Sequence, residues 1–370
     1  MQIKEIVIYK APIKLNVPFK ISLGTFDYAN NIIVVLKTTS GITGYGECSP
    51  FMSIHGESMD TAFIVGQYFG QALLGKPALE IENNSVLMDK IMYGNSCIKS
   101  AFNIALYDIA AQYAEQPLYQ FLGGNNNKLL QTDYTVSIDT PVKMADDALR
   151  IKKNGFKIIK VKLGGSKEED CERIRLIRNA VGKELTIRID ANQGWDVSTA
   201  IATLNELEQY VIQHCEEPIP RYLYTELPRV RAASPIFIMA DESCCDQHDA
   251  KRLIHIHACD SFNIKLSKSA GIRNAQKIIA LAEEASLKIQ LGGFLESRLG
   301  FTAAAHVALT SNAVEYVDFD TPLMFTEDPV IGGITYGTNG IISLPEKAGL
   351  GATIDSAYLA KQEHVILTAK

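Results

Sequence analysis

Residues 158–190, IIKVKLGGSKEEDCERIRLIRNAVGKELTIRID, read as strand, amphipathic helix, strand. The same unit recurs on either side. TDYTVSI and PVKMADDALRIKKNG precede it. After it, successive apolar runs end in a polar residue: VIQHCE at Glu216, IFIMAD at Asp241, FNIK at Lys265, IQLGGFLE at Glu296 and YVDFD at Asp320. From Lys162 through Asp190, Glu216 and Asp241 to Lys265 the positions differ by 28, 26, 25 and 24, the length of one strand plus one helix in a parallel repeat. Eight such units predict an α/β fold of the (β/α)8 type, in which every strand delivers its last inward side chain to one mouth.

Outside this ladder the pattern changes. Residues 1–125 begin with strand-like runs (IKEIVIYK, NNIIVVLKTT, ITGYGEC) and continue into helical ones, notably SAFNIALYDIAAQYAEQPLYQFLGG. They predict an α+β capping domain. The barrel is expected over 126–324, and 325–370, with its strand-like ITYG and GIISL runs, is expected to return to the cap. No linker rich in Pro, Ser or charge separates the units, so the cap should close the barrel mouth.

Composition narrows the function. A chain of 370 residues that is 47% hydrophobic and 21% charged is large enough for a substantial core. Its net charge of −6 and the lack of basic runs interleaved with aromatics argue against nucleic acid. No stretch reaches the ~18 apolar residues of a membrane span, and the N-terminus alternates like a first strand, so the expectation is a cytoplasmic enzyme. Seven scattered cysteines without CxxC spacing point to reduced, buried thiols.

The strand ends carry the chemistry. Asp190, Asp241 and one of Glu216 and Glu217 offer hard oxygen ligands suited to Mg2+; the alternative is that each carboxylate caps the following helix. Lys160 and Lys162 share strand parity and point inward together, while Lys265 lies across the barrel. Nearby cations and Mg2+ would disfavour the charged ammonium and lower a lysine pKa toward the range of a base. Lys268 reads as a helix-entry or surface residue, Asn192 as an ordering group beside Asp190, and Glu296 with Arg298 as a local ion pair. Asp318 and Asp320 add charge to an already acidic mouth, which a substrate ammonium would offset.

KVK, DANQGW, EEP, ADES and NIKLSKSAG, in that order, resemble the enolase superfamily in its muconate-lactonizing-enzyme subgroup. The likeness covers the whole chain. It implies Asp190, Glu216 and Asp241 as Mg2+ ligands and Lys162 and Lys265 as acid/base lysines, with Lys160 as a further cation on the substrate carboxylate. The DFD at 318–320 resembles the element with which dipeptide epimerases hold an α-ammonium. The resemblance therefore implies epimerisation of a dipeptide at its C-terminal residue. Ala-Glu epimerases carry an arginine in the capping loop where this chain has Gly24, so small or apolar C-terminal residues are expected. Phe19, Phe26, Phe51, Met52, Ile54, Phe294 and Leu295 are expected around that side chain, with Thr135 and Glu296 also touching substrate. Sister reactions (Ala-Glu epimerisation, N-acylamino acid racemisation, o-succinylbenzoate synthesis, cycloisomerisation) and a non-catalytic metal-binding module are the rivals. A homo-oligomer is expected.

Overall fold

The computed structural model describes residues 1–368. Strands Ile3–Ile21, Gly24–Thr38 and Thr43–Cys48 form an antiparallel meander, and His364–Thr368 pairs with the outer edge of the first strand, Glu5 opposite Thr368. Helices Met59–Leu73, Ile81–Ile91 and Ser96–Tyr113 cover one face. Ile6, Ile8, Ile32, Val34 and Leu36 pack there with Phe69, Ile98 and Phe102. Val7, Ile33 and Val35 on the other face join the barrel's core. Burial on both faces explains the unbroken apolar run IIVVL, which an alternating one-sided sheet would not need. Gly46 permits the sheet to meet the helix: a Cβ there would fall 1.9 Å from the Ala101 carbonyl oxygen.

Eight parallel strands come next: Tyr134–Val136, Ile158–Lys162, Thr186–Asp190, Ile212–Glu216, Ile238–Ala240, Ser261–Lys265, Lys288–Gly292 and Val314–Val317. Each pairs with the next. A bridge between Thr132 and Val317 brings the eighth strand against the first and closes the barrel. The crossover helices start at their own caps, with Ser166, Asp196 and Asp246 accepting from backbone N–H groups. Among the described residues no helix is long and apolar enough to cross a membrane. All seven cysteines are unpaired.

Candidate active site

Asp190 and Glu216 are the last residues of the third and fourth barrel strands, and Asp241 follows the fifth. All three are fully buried. Asp196 and Asp246 cap the helices after the third and fifth strands, and those after the fourth begin at Pro220 and Glu226 without a side-chain cap, so the capping alternative fails and the carboxylates are left to the barrel mouth. Glu216 and Glu217 separate cleanly. Glu216 accepts from Asn263 Nδ2 at 2.8 Å and Gln290 Nε2 at 3.2 Å inside the barrel, whereas Glu217 accepts from Asp241 N at 2.7 Å and from Ser243.

The lysines interleave with these acids. Lys162 Nζ donates to Asp190 Oδ2 and Lys265 Nζ to Asp241 Oδ2, each at 2.6 Å. Lys160 Nζ lies 2.7 Å from Glu216 Oε2 and 3.3 Å from Asp190 Oδ2, and donates to Asp318 Oδ2 at 2.8 Å. Two aromatic rings back the outer lysines: Phe294 lies 4.5 Å from Lys265 Nζ and Phe19 5.9 Å from Lys162 Nζ, centroid to nitrogen.

The acids fit a divalent cation by the chemistry of the donor set. Asp190 stands opposite Glu216 across the third and fourth strands, and Asp241 follows the fifth strand beside them. Asn192 Oδ1 and Glu242 Oε2 beside them are buried without a donor. Facing acceptors in a dry site require a proton or a cation between them, and oxygen-only ligands suit Mg2+. Among the described residues no three acid, thiol or imidazole groups stand in a finished coordination shell; the ammonium groups share these oxygens.

The acids around the lysines act on their charge. Burial acts to lower the Lys265 ammonium, but Asp241 and Glu216 outweigh it and raise the group above its ordinary value. Lys160 is likewise raised: burial opposes, and Asp318, Glu216 and Asp190 prevail. The protein's own carboxylates thus favour the ammonium form of these two lysines, and Mg2+ on the same carboxylates would oppose that pull and free a lysine to act as a base. Burial and Asp190 push Glu216 up to about 7, and burial and Asp318 do the same to Asp320.

The cavity between cap and barrel is lined by Phe19, Ile21, Phe51 and Ile54 from the cap. Across from them stand Thr135, Lys160, Lys162, Asn192, Lys265, Phe294, Leu295, Asp318, Asp320 and Thr321. Thr135 N donates to Asp320 Oδ2 at 2.6 Å, fixing that carboxylate. Two contacts hold the capping loops down: Ser22 Oγ donates to Asn192 O at 2.8 Å and Arg221 Nη1 to Ile54 O at 2.6 Å. Phe26 stands one layer back, its ring 4.5 Å from that of Phe51, with Gly24 against it.

Several expectations change. Glu296 does not line the cavity and is not paired with Arg298. It accepts from Ser267 Oγ at 2.6 Å and from Phe294 N behind the wall, and Arg298 pairs with Asp328. Met52 is 71% exposed and lies outside the pocket. Lys268 is neither a helix-entry nor a surface residue: the turn after the sixth strand folds back, with Lys268 N donating to Lys265 O. Its buried Nζ donates to Asp241 Oδ1 at 2.6 Å and Asn263 O at 2.8 Å. Sequence reading also missed Asp133, which shares strand parity with Thr135 and is fully buried.

Known proteins agree with this geometry. The enolase C-terminal domain-like family matches residues 143–358, and the mandelate racemase / muconate lactonizing enzyme N-terminal domain matches 3–123. A D-Ala-D/L-Ala epimerase from Cytophaga hutchinsonii is 66% identical over 99% of this chain and 100% of its own length. An L-Ala-D/L-Glu epimerase from Bacillus subtilis is 38% identical over 98% of this chain and 99% of its own. A crystal structure of a dipeptide epimerase from Cytophaga hutchinsonii, complexed with Mg and D-Ala-L-Val, superposes with a TM-score of 0.99 at 66% identity, each chain covered in full. With both halves matched and relatives of this kind along its whole length, the chain belongs to the mandelate racemase / muconate lactonizing enzyme family of the enolase superfamily, in its dipeptide epimerase branch.

Proposed function

We propose that the protein epimerises dipeptides at the α-carbon of the C-terminal residue, with Asp190, Glu216 and Asp241 holding Mg2+. The observation that carries the reading is one cavity with Lys162 and Lys265 at opposite strand ends and Asp318 and Asp320 beyond them. Removing a proton beside a carboxylate places a second negative charge on that group. Bound Mg2+ supplies the charge that makes this dianion accessible. Lys160, fully buried in the same cluster, adds a fixed cation. Either Lys162 Nζ or Lys265 Nζ takes the α-proton, and the other returns one from the opposite face, which inverts the centre. Asp318 and Asp320 hold the N-terminal ammonium at the far end. Phe19, Phe51 and Ile54 exclude water once the loops are clasped by Ser22 and Arg221.

The side-chain wall favours small or apolar residues. Apart from Lys160, Lys162 and Lys265, already committed to carboxylates, no cationic side chain among the described residues lines the cavity to neutralise a glutamate. The D-Ala-L-Val complex of the Cytophaga dipeptide epimerase, and the D-Ala-D/L-Ala epimerase of the same organism, accord with that wall. The test is a dipeptide library incubated with enzyme and Mg2+ in D2O and read by mass spectrometry. Deuterium should enter at the C-terminal α-carbon of dipeptides with small or apolar residues. A clear preference for Ala-Glu would remove the apolar assignment, and equal turnover of N-acylamino acids would remove the dipeptide itself.

A further inference from the structure

Asp133, immediately before the first barrel strand, is 0% exposed and belongs to no part of the chemistry above. Its Oδ2 accepts from Arg188 Nη1 at 2.8 Å. Its Oδ1 is buried with no donor. The bridge between Thr132 and Val317 sets Asp133 beside Asp318 on the adjoining strand, and Asp318 Oδ2 itself accepts from Lys160 Nζ at 2.8 Å. Two carboxylates side by side in a dry interior repel, and a proton on one of them, shared with the other, relieves that repulsion and satisfies a bare acceptor. Asp318 has the lysine and Asp133 has the orphaned oxygen. Arg188, Asp133 and Asp318 thus stand in a row, with Lys160 on Asp318.

We propose that Asp133 is a positioning residue, a neutral carboxylic acid that donates its Oδ1 proton to Asp318 and fixes that carboxylate toward the substrate ammonium. The inference rests on the ammonium-binding role given to Asp318 and Asp320 above. The electrostatics agree: burial and then Asp318 hold Asp133 well above the ordinary carboxyl range in spite of Arg188. Asp318 is the opposite, held low by Lys160 and Lys162 against its burial. A neutral donor here does what a second anion could not. It adds a hydrogen bond to Asp318 without adding charge to a mouth that already holds several acids.

The experiment compares L-alanyl-L-alanine with N-propionyl-L-alanine, which differ only in the ammonium. In Asp133→Ala, kcat/KM for the dipeptide should fall about tenfold to a hundredfold, the worth of one hydrogen bond to a charged group, mostly through KM, while the propionyl compound changes less than about threefold. Asp133→Asn keeps an N–H toward Asp318 and a carbonyl toward Arg188, and should restore most of the dipeptide preference. Equal losses on both substrates, or an Asn variant as poor as Ala, would overturn the proposal. Infrared difference spectra between wild type and Asp133→Asn, taken at about pH 8 where ordinary carboxyls are ionised, give a reading that does not depend on the Ala variant folding. They should show the carbonyl stretch of a protonated acid in the wild type, and its absence also overturns the proposal. Asp320→Asn separates the two levels of argument. If it leaves the wild-type preference for the ammonium intact, the ammonium reading itself fails; if it narrows that preference and Asp133→Ala does not, only the role of Asp133 fails.

Discussion

Replacing Lys162 or Lys265 by alanine should abolish epimerisation while leaving each variant able to exchange the α-proton of one epimer. The structure says why both should fold. Asp190 loses its 2.6 Å contact with Lys162 but keeps Lys160 at 3.3 Å, and Asp241 loses Lys265 but keeps Lys268 at 2.6 Å. Neither deletion leaves a buried carboxylate without a cation, so the cost in stability should be about 1–3 kcal/mol rather than the ~3–5 kcal/mol of a broken isolated pair. The chemical loss is larger. A positioned acid or base contributes about 10²–10⁴-fold, or roughly 3–5 kcal/mol of barrier, and epimerisation needs both lysines in each turnover. The assay is proton NMR of each pure epimer of one dipeptide in D2O with Mg2+ and either variant. One variant should wash deuterium into the L form and the other into the D form. Exchange of the same epimer by both variants would show that the lysines do not divide the faces.

Other parts of the molecule give three more testable outcomes. Chelating the metal should stop turnover, with calorimetric Mg2+ binding lost in Asp241→Asn while its circular dichroism is kept; full activity in rigorously metal-free enzyme would end the metal reading. Gly46→Ala should destabilise the cap by about 1–3 kcal/mol or more, because the new Cβ meets the Ala101 oxygen at 1.9 Å and the Ala105 nitrogen at 2.9 Å, both backbone; an unchanged melting temperature would refute the close approach. His306 is buried, accepts from Tyr119 N at 3.1 Å, and is pushed down to about 4 by burial, so the unfolded chain binds a proton near pH 6.5 that the folded one refuses until about 4. Stability from this group is therefore complete above about pH 6.5 and is lost as pH falls toward 4, by up to about 3 kcal/mol. His306→Gln should flatten that part of the melting curve's pH dependence, and identical slopes would count against it.

Much of the site was legible because strand parity and strand ends are local properties. An apolar run that ends in Asp190, Glu216 or Lys162 announces where its last side chain points, and the order of these residues resembles one superfamily. Asp133 and Lys268 had no such signal. Asp133 is defined by Arg188 and Asp318, 55 and 185 residues away along the chain. Lys268 sits three residues beyond a strand end, where a continuing chain would leave it outside, and only the tight turn on Lys265 O returns it to Asp241. The surroundings of the lysines are likewise set by partners remote in sequence. The folded barrel sets Asp241 and Glu216 against Lys265, and Asp318 and Glu216 against Lys160, a pull that Mg2+ on the same carboxylates would oppose.

The misplaced Glu296 shows how far spacing alone could have gone. Extending the seventh apolar run to its polar end sets a step of 296 − 265 = 31, which breaks a ladder of 24 to 28. The seventh strand in fact ends at Gly292 and the eighth at Val317, giving steps of 292 − 265 = 27 and 317 − 292 = 25. The period thus placed the strand end at a glycine, a residue with no chemistry to attract the eye. Beyond Gly292 the chain enters a loop whose polar member turns inward against Ser267, and whose apolar members, Phe294 and Leu295, face the substrate cavity. A strand end without a polar side chain gives that position of the mouth to packing. Here it lets the loop after the seventh strand supply an apolar wall beside Lys265 instead of another ligand or base.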